Sequence, residues 1–219
     1  MKIHLQTELD RLKKQLFHLS SVVEENLKLA IRAVRDSDSE LAETVRRNDA
    51  EIDDLEVEVE EECLKILALH QPVAIDLRFL IAALKMNNDL ERIGDLAVNI
   101  AGIQTRLDTD DVPAVFGERL QGLGEKAQRM LRRSLESLMN MDCAGAREVL
   151  AADDEVDLDY KNFIGILKKE LAENPGRAES VISWLLAAKS IERVADLATN
   201  IAEDTIDTVE GKIIRHSRS

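Results

Sequence analysis

ERIGDLAVNIA at 91–101 and ERVADLATNIA at 192–202 agree at eight of eleven positions, at a constant offset of 101 residues. A second pair of segments, DAEID at 49–53 and DDEVD at 153–157, precedes them in the same order at an offset of 104. Chance similarity between helices of one composition does not place two matched segments in one order. The chain therefore reads as an internal duplication with a period near 100 residues, and the three-residue slip falls in a connecting loop.

On either side of these segments apolar residues recur at helical spacing, and the breakers are few enough to mark the boundaries. Among 219 residues there are nine glycines, three prolines and six aromatics, too few for the turn-rich, aromatic strands of a sandwich or barrel. The expected elements are helix one at about 5–35, helix two at about 39–69 and helix three at about 73–107. Ser37 to Ser39 offer a cap for the second helix, and Pro72 reads as an early residue of the third. Helix four runs to about Met141, helix five over about 144–172 and helix six over about 178–210, with ENPG as the second turn. The expectation is an all-α chain of two tandem antiparallel three-helix bundles. The first bundle spans 1–107, a linker 108–113, the second bundle 114–210 and a tail 211–219.

Each matched segment carries acids at i and i+4: Asp49 with Asp53, Glu91 with Asp95, Asp153 with Asp157, and Glu192 with Asp196. That spacing puts both carboxylates on one helix face, where like charges repel by a few tenths of a kcal/mol. Helices two and three form a hairpin turning near Gln71. The two acidic pairs are centred about 20 and 22 residues from that turn, or about 30 Å at 1.5 Å per residue. The second hairpin repeats the arrangement. Each hairpin thus brings four carboxylates to one level. On a helical wheel Glu192, Asp196 and Asn200 border the apolar arc of Ile191, Val194, Ala195, Ala198 and Ile201, so the stripe belongs in a groove between helices. Gly94 and Ala195, equivalent in the two copies, face that arc and permit close approach. An all-oxygen donor set suits hard cations such as Mg²⁺ and Mn²⁺, and also iron, with two or more metals bridged by carboxylates. The competing expectation is a solvated acidic face. It accounts for most acids of 36–62, where thirteen acids accompany two bases.

The formal charge of −14 argues against a nucleic-acid partner, since phosphate neutralisation needs clustered Lys and Arg. LIAAL at 80–84 is about the longest apolar run, too short to span a membrane. Cys63 and Cys143 lack CxxC spacing and read as free thiols of a reducing compartment. His4, His18, His70 and His216 are not paired with the acidic motifs at ligand spacing, so a Glu-x-x-His redox centre is not expected. No phosphate loop, GxSxG or Cys/His nucleophile arrangement occurs. A carboxylate-bridged metalloenzyme, a hydrolase or an oxidase, remains the alternative to a binding protein.

ERIGDLAVNIA, ERVADLATNIAEDTI, the carboxylate pairs, QPVAIDLR at 71–78 and EGKIIRH at 210–216 together resemble the PhoU family. The resemblance covers essentially the whole chain. It implies two tandem three-helix bundles and a repeated E(D)xxxD motif that binds metal ions, up to multinuclear clusters of divalent or trivalent iron, Mn, Mg or Zn. By position the implied ligands are Asp49, Asp53, Glu91 and Asp95 in the first bundle, and Asp153, Asp157, Glu192 and Asp196 in the second. Asn99 and Asn200, one turn further on, are additional candidates. Where family members often carry His in the second motif, this chain has Leu197. The resemblance further implies a cytoplasmic, non-enzymatic negative regulator of phosphate uptake and the phosphate regulon. Its implied partners are the ATPase subunit of the phosphate ABC transporter and the cytoplasmic region of a sensor histidine kinase, with self-association as a homodimer or higher oligomer. Contact with the membrane would come only through those partners.

Overall fold

The computed structural model describes residues 2–106 and 113–211. The expected linker, apart from Pro113, and the tail beyond Gly211 lie outside those residues, as does His216. The described residues form six long helices: α1 (Lys2–Arg35), α2 (Ser39–His70), α3 (Ala74–Ile103), α4 (Ala114–Asn140), α5 (Cys143–Glu173) and α6 (Ala178–Glu210). Short 3₁₀ turns follow α3 at Gln104–Arg106 and precede α6 at Pro175–Arg177.

Three helices from each half pack on one another, and the halves meet where α1 lies on α4 and α3 on α6. One continuous apolar core runs through all six helices. In α2 the expected Ile52, Val59 and Ile66 belong to the core together with Ala42, Val45 and Cys63, with Leu55 and Leu67 packed at its edge. In α6 the whole expected arc of Ile191, Val194, Ala195, Ala198 and Ile201 is buried. The second half adds an aromatic cluster, with Phe116 edge-on to Phe163 at 6.0 Å and to Trp184 at 5.9 Å, a preferred geometry for such rings.

The duplication extends to the turns. Ser37 and Met141 both adopt left-handed backbone conformations. The next residues, Asp38 and Asp142, cap α2 and α5 by accepting hydrogen bonds from the backbone amides two and three positions on. The two turns stand 104 residues apart, the same offset as the matched segments on α2 and α5.

The three-residue slip sits at the other turn. In the first half Gln71 takes a left-handed conformation that closes α2, and Gln71, Pro72 and Val73 lie outside the helices. In the second half Asn174 leads straight into a 3₁₀ turn. Pro72 therefore does not open α3: it lies two residues before Ala74, because Val73 is extended at the cap position. Helix α3 also ends earlier than the periodicity suggests, at Ile103. The chain tightens there into a 3₁₀ turn, and the Gln104 side chain donates to the Ser37 carbonyl at 3.1 Å.

Candidate functional site

The first acidic cluster lies where Gly94 of α3 packs against α2. A Cβ on Gly94 would meet Ile52 Cγ2 at 3.2 Å and Asp49 Oδ1 at 3.3 Å. A methyl group there would press on both the buried isoleucine and the carboxylate by a few tenths of an ångström. Ala195 is buried at the equivalent position.

Within each hairpin the acids act on one another electrostatically. Burial pushes the Asp49 carboxyl above its ordinary value, and Asp53 and Asp95 push it further. Glu91 is raised by burial and then by Asp95, Asp53, Glu56 and Asp49. In the second hairpin Asp196 is raised by burial, Glu192, Asp153 and Asp157, against a smaller opposing pull from Lys189. Partial desolvation and like charges act in the same direction on such groups.

The two clusters differ in their counter-charges. Asp49, Asp53, Glu91 and Asp95 have no ion pair or hydrogen bond from a cationic side chain among the described residues. In the second hairpin Lys189 pairs with Glu192, and Lys161 with Asp157 at 3.1 Å. Lys189 also lies over the Tyr160 ring at 5.6 Å. The corresponding residues of the first half are Asn88, Val57 and Glu56. Glu56 is itself raised, by burial and then by Glu60 and Asp53, and it accepts from the Asn87 amide at 2.8 Å. The motif comparison did not single out Glu56, although its position, three residues beyond Asp53, was open to inspection.

Convergence stops short of a closed ligand set. Among the described residues, no three carboxylate, imidazole or thiol groups surround a point as metal ligands would. The carboxylates of each hairpin influence one another electrostatically without surrounding a common point.

Asn99 and Asn200 have a different setting. They line a cavity of about 210 Å³ between α3 and α6 with Arg92, Asp95, Leu96, Arg193, Asp196 and Leu197. These are four pairs related by the 101-residue offset, so the duplication appears here as a local two-fold arrangement. Leu197 faces this cavity opposite Leu96, and both are buried. The arginines of the two motifs also belong to it. Their repetition in ERIGD and ERVAD was the available signal, and a reading centred on acids passed over it.

The two cysteines differ in placement: Cys63 is buried in the core, whereas Cys143 is not. Burial pushes the Cys63 thiol up to about 12, and Cys143 is partly exposed and unbridged. No described helix is long and apolar enough to cross a membrane.

A sequence profile of the PhoU domain matches residues 16–103 and 120–205. The chain is 35% identical over 210 residues to the phosphate-specific transport system accessory protein PhoU homolog of Pseudomonas aeruginosa, covering 95% of this chain and 86% of that protein. It is 32% identical to the phosphate-specific transport system accessory protein PhoU of Escherichia coli, with the same coverage. The crystal structure of PhoU from Pseudomonas aeruginosa superposes with a TM-score of 0.88 at 34% identity, covering 94% of this chain and 99% of that one. The phosphate transport system regulatory protein PhoU from Streptococcus pneumoniae does so with a TM-score of 0.89 at 25% identity, covering 96% and 99%. With two domain matches in tandem, relatives aligned along nearly its whole length and the same six-helix layout, the chain belongs to the PhoU family.

Proposed function

We propose that this protein is a metal-binding accessory regulator of phosphate uptake, acting in the cytoplasm. In this reading it links the ATPase subunit of a phosphate ABC transporter to the cytoplasmic region of a sensor histidine kinase and restrains phosphate-regulon output when phosphate is plentiful. Support for the transport role comes from the names its relatives carry. Support for metal binding comes from one observation: the first hairpin assembles four carboxylates, with Glu56 beside them, and none has a cationic side-chain partner among the described residues. Such a cluster is relieved by protons or by cations.

The donor chemistry fits. Asp49, Asp53, Glu91 and Asp95 supply only oxygen, the preference of Mg²⁺ and Mn²⁺ and a set that iron also accepts. No imidazole or thiolate accompanies them to favour zinc. A bound cation would supply charge neutralisation and a rigid link between α2 and α3. The chain's own contribution is the level matching of the pairs, the close approach at Gly94 and the partial exclusion of water. In the second hairpin Asp153, Asp157, Glu192 and Asp196 offer the same oxygens, but Lys161 and Lys189 already compensate part of the charge. The first cluster is therefore the tighter metal site.

The test is elemental analysis of protein purified without added metal and then loaded with Mn²⁺. Glu91→Ala and Asp95→Ala are expected to lower the bound metal by more than Glu192→Ala does, with helix content nearly unchanged. Equal metal content in all three variants, or none in the unsubstituted protein, refutes the metal reading. Pull-down with the transporter ATPase and the kinase region separately tests the coupling, which fails if neither is retained.

A further inference from the structure

Beside the α3–α6 cavity lies a second one of about 480 Å³, which shares Leu96, Asn99 and Arg193 with it and has no acidic residue in its lining. In a chain with 43 acids and 29 bases, this lining holds three cations: Arg46 from α2, and Lys189 and Arg193 from α6. Their charges are not equally available. The Lys189 ammonium is held by Glu192 and lies over Tyr160, so it contributes to the local potential more than it offers a donor. Arg46 gives two of its nitrogens to Glu43. Arg193 is exposed and has no ion pair or hydrogen bond among the described residues, which leaves its donor fork open. The apolar part of the lining is Leu96, Val98, Ile103 and Leu186, and Asn99 and Ser190 add an amide and a hydroxyl.

A planar guanidinium with free donors suits carboxylate and phosphate oxygens, which it can bind in bidentate fashion. A half-apolar cavity of this size falls within the roughly 300–1,000 Å³ typical of small-molecule sites. A lone orthophosphate would leave the apolar wall and most of the volume unfilled. We propose that this cavity binds a small organic phosphate, its phosphate-bearing head held by Arg193 and Arg46 and its body lying against Leu96, Val98, Ile103 and Leu186. This site is separate from the metal reading, since none of the eight motif carboxylates lines it.

The test uses the full chain in chelator-containing buffer of low ionic strength, so that no metal ion carries the anion. ADP, pyrophosphate and adenosine are titrated by calorimetry. ADP is expected to bind, pyrophosphate at least severalfold more weakly, and adenosine not measurably. Arg193→Gln and Arg46→Gln each remove an exposed side chain and leave the thermal transition unchanged. Arg193→Gln is expected to weaken ADP binding about tenfold or more, the scale of a lost charge-assisted contact, and Arg46→Gln by less. No heat with ADP, equal affinity for ADP and pyrophosphate, or affinity unaltered in both variants overturns the proposal.

Discussion

Asp49 and Gly94 face each other across α2 and α3, and the carboxylate oxygen lies 3.3 Å from where a Cβ on residue 94 would stand. That proximity strips water from Asp49, and Asp53 and Asp95 add repulsion. Asp49, Glu56, Glu91 and Asp196 all hold a proton more tightly than ordinary carboxyls do. Their contribution to stability is therefore complete below the unfolded carboxylate range and is lost as pH rises through their folded values. Asp36, held below its usual range by Arg35, works in the opposite direction. Its contribution is present above the ordinary carboxylate range and disappears as pH falls through its lowered value. The metal-free protein should accordingly lose Tm as pH rises from the ordinary carboxylate range towards neutrality, while acid lability at lower pH comes from groups such as Asp36. Asp49→Asn should flatten that loss. At neutral pH, after allowance for solvent screening, it should stabilise the metal-free fold by about 0.5–1 kcal/mol, or about 1–3 °C in Tm; a lower Tm would mean the carboxylate is a structural partner. The thiols give a second test at this scale. A neutral thiol reagent at mildly alkaline pH should modify one cysteine per native chain, and Cys143→Ser should abolish that reaction. Burial holds Cys63 protonated, and the thiolate is the reactive form.

Each helix is set by local rules that the two halves share. The left-handed residue followed by an aspartate cap recurs at Ser37–Asp38 and Met141–Asp142. It satisfies amides that would otherwise be orphaned at the start of α2 and α5. Asp38→Ala should cost about 1 kcal/mol in a urea unfolding experiment, with the slope unchanged. Asp142→Ala should shift the midpoint in the same direction. Element by element, the two halves diverge in ways legible from the aligned residues: Val57 against Lys161, Asn88 against Lys189, Glu56 against Tyr160. Matching the motifs drew attention to what was repeated. The functional asymmetry lies in what was not.

Across the whole molecule the halves are joined by apolar packing of α1 on α4 and of α3 on α6, with a few polar ties. Asp204 is 3% exposed, and Lys85 of α3 donates to it at 3.0 Å. Arg78 donates to the Thr208 carbonyl at 2.8 Å, and Arg132 of α4 gives two hydrogen bonds to Glu24 of α1. Lys85→Met should destabilise the protein by about 1–2 kcal/mol, because a buried carboxylate loses its cationic partner. Chemical denaturation measures the loss, and it should shrink when Asp204→Asn is added to Lys85→Met. A change below the error of the midpoint would show that the joint rests on apolar contact alone.

The six helices to within a few residues, the cap region of α2 and the duplication were legible in the amino-acid string. Those properties depend on short-range periodicity, on a fixed rise per residue and on residues near one another along the chain. Which helix of one repeat lies against which helix of the other was not legible. Nor were the cavity facing Asn99 and Asn200, the free guanidinium of Arg193, or the fact that the carboxylates stand near one another without closing around a point. These depend on how helices rotate and dock as side chains interdigitate over 8–10 Å, a choice made by contacts between residues about 100 positions apart that no local pattern records.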